Sequence, residues 1–339
     1  MDESGRGDPV DIPADIPADI PQTDLGHGVH AIDTQMSGYP GITSGYLIVA
    51  DRPCLVETGT ARSAPVVRDA LASLGVGPDD LATVVVTHIH LDHAGGVGDI
   101  AGMFPSAEVV VHERGARHLV DPAKLVASAR RVFGALIDDV FGPLLPTEAS
   151  RVRALGDTGF VDLGAGRRLD SFHAPGHAQH HVGLVDSVTG DLYVGDAAGI
   201  YIPATADVRP ATPPPDFDLD TALDSLGRFR DVAPTRLLFS HFGPVEDVAP
   251  TLDRSAEELR RWVEMVRDAR DRQLDLDHAV ALVKDRTRER YAALAARPEV
   301  LHKFEELSST AANVAGINRW LDKVEGRTHP MGDPAPSTR

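Results

Sequence analysis

Two rhythms alternate along the chain. Short apolar runs rich in β-branched residues read as strands: Val29-His30-Ala31-Ile32-Asp33, Gly45-Tyr46-Leu47-Ile48-Val49-Ala50, Cys54-Leu55-Val56, Thr83-Val84-Val85-Val86, and Glu108 to Val111. Asp51-Arg52-Pro53 marks a turn, and Ala64 to Leu74 carries apolar residues at helical spacing until Gly75 and Gly77 stop it. Further on, Arg168 to Ala174, Leu192-Tyr193-Val194 and Arg236-Leu237-Leu238-Phe239 resume the strand rhythm.

Helical spacing interrupts the strands twice. Over residues 114–142, Leu119, Val120, Leu125, Val126, Val132, Phe133, Leu136, Ile137, Val140 and Phe141 recur with a helical period. This stretch is either a helix packed on the sheet or a helical lid supplying the apolar wall of a substrate pocket. From Leu252 the strand signal ends. Leu259, Trp262, Val263, Met265 and Val266 lie among many Arg, Glu and Asp residues, and further helical segments run near Leu276 to Arg290 and Ala311 to Val324.

The pattern divides the chain into an α+β domain over 25–250, with 114–142 as its helical insertion and lid candidate, and an α-helical extension over 251–326. Residues 1–24 contain Asp11-Ile12-Pro13-Ala14 and its near-repeats, with a proline at every fourth position. That frequency forbids helix and offers no core, so an extended or disordered arm is expected. The polar, proline-bearing segment 327–339 reads as a tail.

The candidate chemistry lies where strands end. Thr83-Val84-Val85-Val86 runs into Thr87-His88-Ile89-His90-Leu91-Asp92-His93-Ala94-Gly95-Gly96, which places three imidazoles and a carboxylate within six positions. His88 and His90 alternate by two, so on extended backbone their side chains leave the same side and grip one ion. Asp92 and His93 follow where the chain turns and can face a second ion. Imidazole nitrogen and carboxylate oxygen suit zinc, iron or manganese. Four ligands cannot close two metal sites, so others must come from elsewhere. Three further segments repeat the grammar of a strand followed by a ligand: Pro175-Gly176-His177, Val194-Gly195-Asp196 and Phe239-Ser240-His241.

In order and spacing, His88-x-His90-x-Asp92-His93, His177, Asp196 and His241 resemble the metallo-β-lactamase fold superfamily, and within it the glyoxalase II-like and lactonase-like hydrolases. The resemblance spans about residues 28–245. Glu57-Thr58-Gly59 stands where the family usually has Asp-Thr-Gly, which puts the local hydrogen bonding in question. The resemblance implies an αββα sandwich of two mixed sheets with outer helices. It implies one metal on His88, His90 and His177, a second on Asp92, His93 and His241, and Asp196 bridging them. The ions would be two divalent metals, zinc first, with iron or manganese as alternatives. The β-lactam-cleaving branch usually carries Cys or Ser at the position of Asp196, so antibiotic cleavage is not the expectation.

That family implies hydrolysis of an ester-type acyl bond, in a thioester, a lactone or a related ester, with a metal-bridging hydroxide as nucleophile. Asp92 would hold the nucleophile and pass its proton to the leaving group. His181 is expected to orient a ligand, since metal-bound imidazoles need a partner for their second nitrogen. Tyr201, five residues after Asp196, is a candidate for polarising the carbonyl, against the simpler reading of an aromatic packed on Ile200 and Ile202. His173 and His180 read as flanking groups, and His112 as a solvated strand end. Two other functions remain open: a mononuclear iron oxidoreductase like the persulfide dioxygenases, on His88, His177 and Asp196, and a non-catalytic metal-stabilised binding module.

Composition narrows the partners. The 339 residues suffice for a full core and a smaller second unit. A formal charge of −18 argues against a nucleic-acid backbone. No apolar run is long enough to span a bilayer, and no secretory leader is evident. Cys54 is the single cysteine, so no internal disulfide forms, and its place in an apolar strand marks it as a buried small hydrophobe. A cytoplasmic protein acting on a small-molecule substrate, with a homodimer as an option for the charged helices, is the resulting expectation.

Overall fold

The computed structural model describes residues 22–326, apart from 135, 204, 299–300, 303–304 and 306–308. The first half forms one sheet of seven strands in the order β1 to β7. These are β1 (Gln22–Asp24), β2 (Val29–Asp33), β3 (Ser44–Ile48), β4 (Cys54–Val56), β5 (Thr83–Val85), β6 (Glu108–His112) and β7 (Val152–Leu155). Strands β1 to β4 pair antiparallel, and β4 to β7 pair parallel. Helices α1 (Ala64–Ser73), α2 (Leu91–Ala94) and α3 (Val97–Met103) make the parallel crossovers, and α4 (Glu113–Val120), α5 (Ala123–Phe133) and α6 (Leu136–Val140) fill the segment before β7.

The second sheet contains β8 (Thr158–Gly164), β9 (Arg167–His173), β10 (Val182–Asp186), β11 (Leu192–Gly195), β14 (Leu237–Phe239) and β15 (Gly243–Val245), in the order β15-β14-β11-β10-β9-β8. A small hairpin of β12 (Ile200–Ile202) and β13 (Asp207–Arg209) lies beside it, and helix α7 (Leu219–Asp231) precedes β14. The chain ends in α8 (Val248–Asp271), α9 (Leu276–Arg286), α10 (Ala292–Ala295) and α11 (Thr310–Glu325).

The period of two decides which residues face which layer. Tyr46, Val56, Val85 and Val110 from the first sheet meet Val161, Leu169, Leu184, Tyr193 and Leu238 from the second in one central core. Their neighbours Leu47, Leu55, Val84 and Val109 point the other way, onto Val67, Leu71 and Ile100 of the first helical layer. On the far side Leu192, Val194, Leu237 and Phe239 meet Phe229, Trp262, Val266 and Ile317. The result is an αββα sandwich. Central strands covered on both faces read as continuous apolar runs, which is why Thr83 to Val86 lacks alternation.

One expectation is revised. The arm expected over 1–24 ends sooner: Gln22–Asp24 pair with Ile32, Ala31 and His30 as an edge strand, because backbone pairing satisfies groups that an arm would leave to water; residues 1–21 and the tail 327–339 lie outside the described residues. The expected C-terminal helices are present and join the sandwich. Trp262, Val266, Ile317 and Leu321 share one cluster with the strands of the second sheet, so these helices are its outer layer.

Two parallel relations bring the ligand-bearing loops to one edge. Strands β11 and β14 pair in parallel. Strand β9 is antiparallel to β10, and β10 to β11, so β9 runs with β11. The C-terminal ends of β9, β11 and β14 therefore point the same way. The two sheets are tied there. Val182 N donates to Thr87 O at 2.9 Å, Ser44 N to Ser240 O at 2.8 Å, and the Tyr46 hydroxyl to Phe239 O at 2.5 Å.

Candidate metal centre

His88, His90, Asp92 and His93 follow β5, with Asp92 and His93 in the first turn of α2; His177 follows β9, Asp196 follows β11, and His241 follows β14. These seven side chains, spread over both sheets, converge at the shared edge. His90 Nδ1 lies 3.1 Å from His88 Nε2 and 2.9 Å from His177 Nε2, and Asp196 Oδ2 is 3.6 Å from His177 Nε2. On the other side of Asp196, Oδ1 is 3.3 Å from His93 Nε2 and 3.5 Å from His241 Nε2. Asp92 Oδ2 closes that group, 3.5 Å from His93 Nε2 and 3.3 Å from His241 Nε2.

These separations bear on whether ions fit. Four ligands at about 2.0–2.1 Å around a tetrahedral ion stand roughly 3.3 Å from each other. The distances cluster near that value in two groups, and Asp196 presents a different oxygen to each. His93 Nε2 and Asp196 Oδ1 are both buried without a hydrogen-bond partner among the described residues. Orphaned buried polar atoms are costly, and a cation between them would relieve the cost. The donor set of imidazoles and carboxylates fits divalent metal.

The remaining ring nitrogens are held from behind. His177 Nδ1 lies 2.9 Å from Ala211 O, and His241 Nδ1 lies 2.9 Å from Ile42 O, so each donates there and leaves Nε2 free as a lone pair. His88 Nδ1 meets the Thr87 hydroxyl at 3.0 Å. His93 Nδ1 faces Glu57 Oε2 at 3.5 Å, and the other Glu57 oxygen accepts from Thr87 N at 3.0 Å. Glu in place of Asp after β4 thus still reaches the site. His181 Nε2 accepts from Asp196 N at 3.1 Å and fixes the backbone that carries the carboxylate.

Electrostatics sorts the rings into two kinds. Burial first, and then the neighbouring imidazoles, hold His88 well below the ordinary range and bring His90 down to about 3, while burial also lowers His177. These rings are neutral and ready to coordinate. At His93 and His241 burial acts the same way, but the carboxylates of Asp92 and Asp196 overcome it and raise both rings. Burial pushes Asp92 and Asp196 up, and the opposing imidazolium charges outweigh it and hold both below the usual carboxylate range.

A cavity of about 640 Å³ opens over the cluster, with His90, Asp92, His177, Asp196 and His241 in its floor. The segment 114–142 contributes Arg114, Arg117, Lys124, Leu125, Ser128 and Phe141 to its wall, while Leu119 is buried in the core beneath the first sheet. The segment thus packs on the sheet at Leu119, and the wall it gives the cavity is mainly basic and polar, not the apolar one expected. Pro213, Pro214 and Pro215 line the opposite side with Asn313 of α11, whose side-chain oxygen accepts from Thr212 N at 2.6 Å.

Tyr201 does not join the site. In β12, Ile200 faces the cavity, so Tyr201 on the alternate side turns away and its ring packs 5.6 Å from that of Phe239. His112 is fully buried instead of solvated. It stacks on His173 at 4.4 Å, with Nε2 at 3.7 Å from Asp157, and its Nδ1 accepts from Arg114 N at the start of α4. His180 is buried and lines the cavity beside His90. Sequence reasoning did not identify the basic side chains of α4 and α5 or Asn313 as cavity residues. Their helical spacing was visible, but which face meets the cleft depends on packing.

Comparison with known proteins gives the chain its relatives. A family model described as the metallo-beta-lactamase superfamily matches residues 38–241. A metallo-beta-lactamase fold-containing protein of Sulfurisphaera tokodaii is 28% identical over 222 residues, which are 64% of this chain and 79% of that protein. The probable metallo-hydrolase YqjP of Bacillus subtilis is 24% identical over 245 residues, 66% of this chain and 74% of its own. Among solved structures, an archaeal superfamily protein from Sulfolobus tokodaii aligns with a TM-score of 0.58 at 27% identity, covering 70% of this chain and 87% of its own. A family protein from Thermus thermophilus shares the fold, with a TM-score of 0.57 at 24% identity over 84% of this chain and 89% of its own.

Proposed function

The chain belongs to the metallo-beta-lactamase superfamily, and from that premise we propose that it is a dinuclear metal-dependent hydrolase of an ester-type acyl bond in a small molecule, of the glyoxalase II-like and lactonase-like kind. One observation carries the reading: Asp196 turns one oxygen to His177 and the other to His93 and His241, a placement that would let one carboxylate serve both groups of ligands. The probable metallo-hydrolase among its relatives agrees with the hydrolytic class.

His88, His90 and His177 would hold one ion, Asp92, His93 and His241 the other, and Asp196 both. Zinc suits the ligand set best, with iron or manganese as alternatives. When bound, such ions make water nucleophilic at neutral pH and polarise an acyl carbonyl. The chain's own groups then orient the reactants. Asp92 lies in the cavity floor with its side chain 18% exposed, so an oxygen not engaged by His93 and His241 can accept a proton from the attacking water. The same carboxyl can return that proton to the departing alkoxide or thiolate. The walls from α4, α5 and the Pro213 to Pro215 loop hold the substrate against this floor.

The test is to purify the protein without chelator, measure metal identity and stoichiometry, and assay thioesters, lactones, phosphodiesters and persulfides. Two ions per chain with acyl turnover supports the reading. One iron per chain with oxygen consumption on a persulfide would sink it, and two ions with no turnover on any ester would leave a binding module.

A further inference from the structure

A second chemistry occupies the wall above the metal ligands. Arg114 and Arg117, one turn apart on α4, and Lys124 and Arg131, two turns apart on α5, all line the cavity. Spacings of three and seven keep each pair on one helix face. In a chain with 51 acidic and 33 basic side chains, a cation readily finds a carboxylate. Arg130, also on α5, pairs with Asp138 at 2.8 Å, and Arg153 with Glu108 at 2.7 Å.

The four cavity cations do otherwise. Arg114 donates to the Gln179 carbonyl at 3.5 Å, Arg117 to the His118 ring at 3.2 Å, and Arg131 to the Ser128 hydroxyl at 3.4 Å. Among the described residues, none of the four has a carboxylate within ion-pair distance. The carboxylates lining the cavity outside the metal ligands are Glu113 and Asp216, and Asp216 already accepts from Gln179 N and Nε2 at 3.4 Å. The four side chains are exposed, and they gather positive charge along one wall of a concave site in an otherwise acidic protein, where field lines focus.

We infer that the α4 and α5 wall binds an anionic group, a phosphate or a carboxylate, carried by the substrate at a distance from its scissile acyl bond. This rests on the hydrolase reading above. A cavity of about 640 Å³ is large enough for both ends of one small molecule. Arginine forks suit the planar or tetrahedral oxygens of either anion, and such charge-assisted bonds are stronger than neutral ones. An uncharged ester would leave the wall solvated and gain nothing from it.

The test compares one acyl group on three thiols: N-acetylcysteamine, which is neutral, 4′-phosphopantetheine and 3-mercaptopropionate. The two charged arms tell a phosphate preference from a carboxylate preference. With zinc-loaded protein at low ionic strength, kcat/KM for at least one charged thioester should exceed that for the neutral one by about tenfold or more. The preference should shrink with added salt. In an Arg117→Gln/Lys124→Gln double variant with unchanged metal content the ratio should collapse toward one, and Arg117→Lys should retain most of it. Equal kcat/KM for all three thioesters in the wild type would overturn the inference while leaving the hydrolase intact. If no thioester turns over, the hydrolase reading stands or falls on the lactone and ester assays above, and the wall is judged by calorimetric titration with 4′-phosphopantothenate against pantothenol. Affinity for the phosphate that drops about tenfold in the double variant upholds it, and equal affinity in both proteins refutes it.

Discussion

Glu57 Oε2 stands 3.5 Å from His93 Nδ1, and both side chains are almost fully buried. The glutamate sits at φ 64°, a left-handed conformation that is uncommon for a residue with a side chain, and its second oxygen is anchored by Thr87 N. A carboxylate facing the far nitrogen of an imidazole favours the orientation that turns the other nitrogen to a metal and makes it a stronger ligand. Glu57→Gln should therefore keep the shape and weaken binding of one of two ions by about 10–100-fold. Competition with a chromophoric chelator reads this directly. Unchanged affinity for both ions would separate Glu57 from the metal centre.

Asp196 has no substitute within reach for its two-sided role. Asp196→Ala should lower the number of ions retained after dialysis and reduce turnover by about a hundredfold or more. Full occupancy with full activity in this variant would refute the bridging assignment.

Acid should act unequally on the two groups of ligands. A ligand must lose its proton before it coordinates. His88, His90 and His177 are held low and already neutral, whereas His93 and His241 are raised by Asp92 and Asp196. On the proposed two-ion reading, metal uptake by the second group would release protons, and its affinity should rise with pH. From about pH 8 down to about pH 6 the weaker of two zinc-binding steps should fall off more steeply than the other. Calorimetry in two buffers of different ionisation heat gives the proton count, and equal counts for both steps would contradict this assignment.

Tyr201 packs on Phe239 outside the cavity. Tyr201→Phe should leave kcat/KM within about twofold of wild type on any substrate that is turned over. A large loss would return the hydroxyl to the chemistry.

Gly316 on α11 marks where the last helix presses on the proline-rich loop, since a Cβ there would meet Thr212 O at 1.9 Å. Gly316→Ala must push the helix away from a backbone atom that cannot yield locally. A loss of about 1–3 kcal/mol is expected in chemical denaturation, together with weaker substrate binding as Asn313 shifts. An unchanged midpoint would show that the loop moves freely.

The architecture was legible because its strands are short, apolar and bounded by turns. Thr83 to Val86 and Glu108 to Val111 announced themselves as buried strands, and the αββα sandwich followed from the resemblance that the His and Asp motifs carried. The seven ligand-type residues were legible for a related reason: each follows a strand end, and backbone geometry brings strand ends together. Tyr201 shows the limit. Its place five residues after Asp196 made it a candidate beside the simpler packing reading, and a one-residue alternation in β12 turned it away. His112 was misread because the end of a strand is exposed only if nothing covers it, and His173 does. Where the C-terminal helices pack was not legible, because a helix's apolar stripe does not say which surface it will cover.

The two sheets meet at the ligand edge, and that junction bears on how the chain is held together. The outermost of these ligands, His88 and His241, are 153 positions apart (241 minus 88). A metal pair gripping both would act as a cross-link closing a loop of that length. By the loop-entropy model such a closure is worth about 5 kcal/mol when it constrains the unfolded chain. With a single cysteine, Cys54, the chain has no internal disulfide to do this. The reaction centre would then double as the clasp of the sandwich, and stripping the ions should loosen the two halves from each other before either half melts.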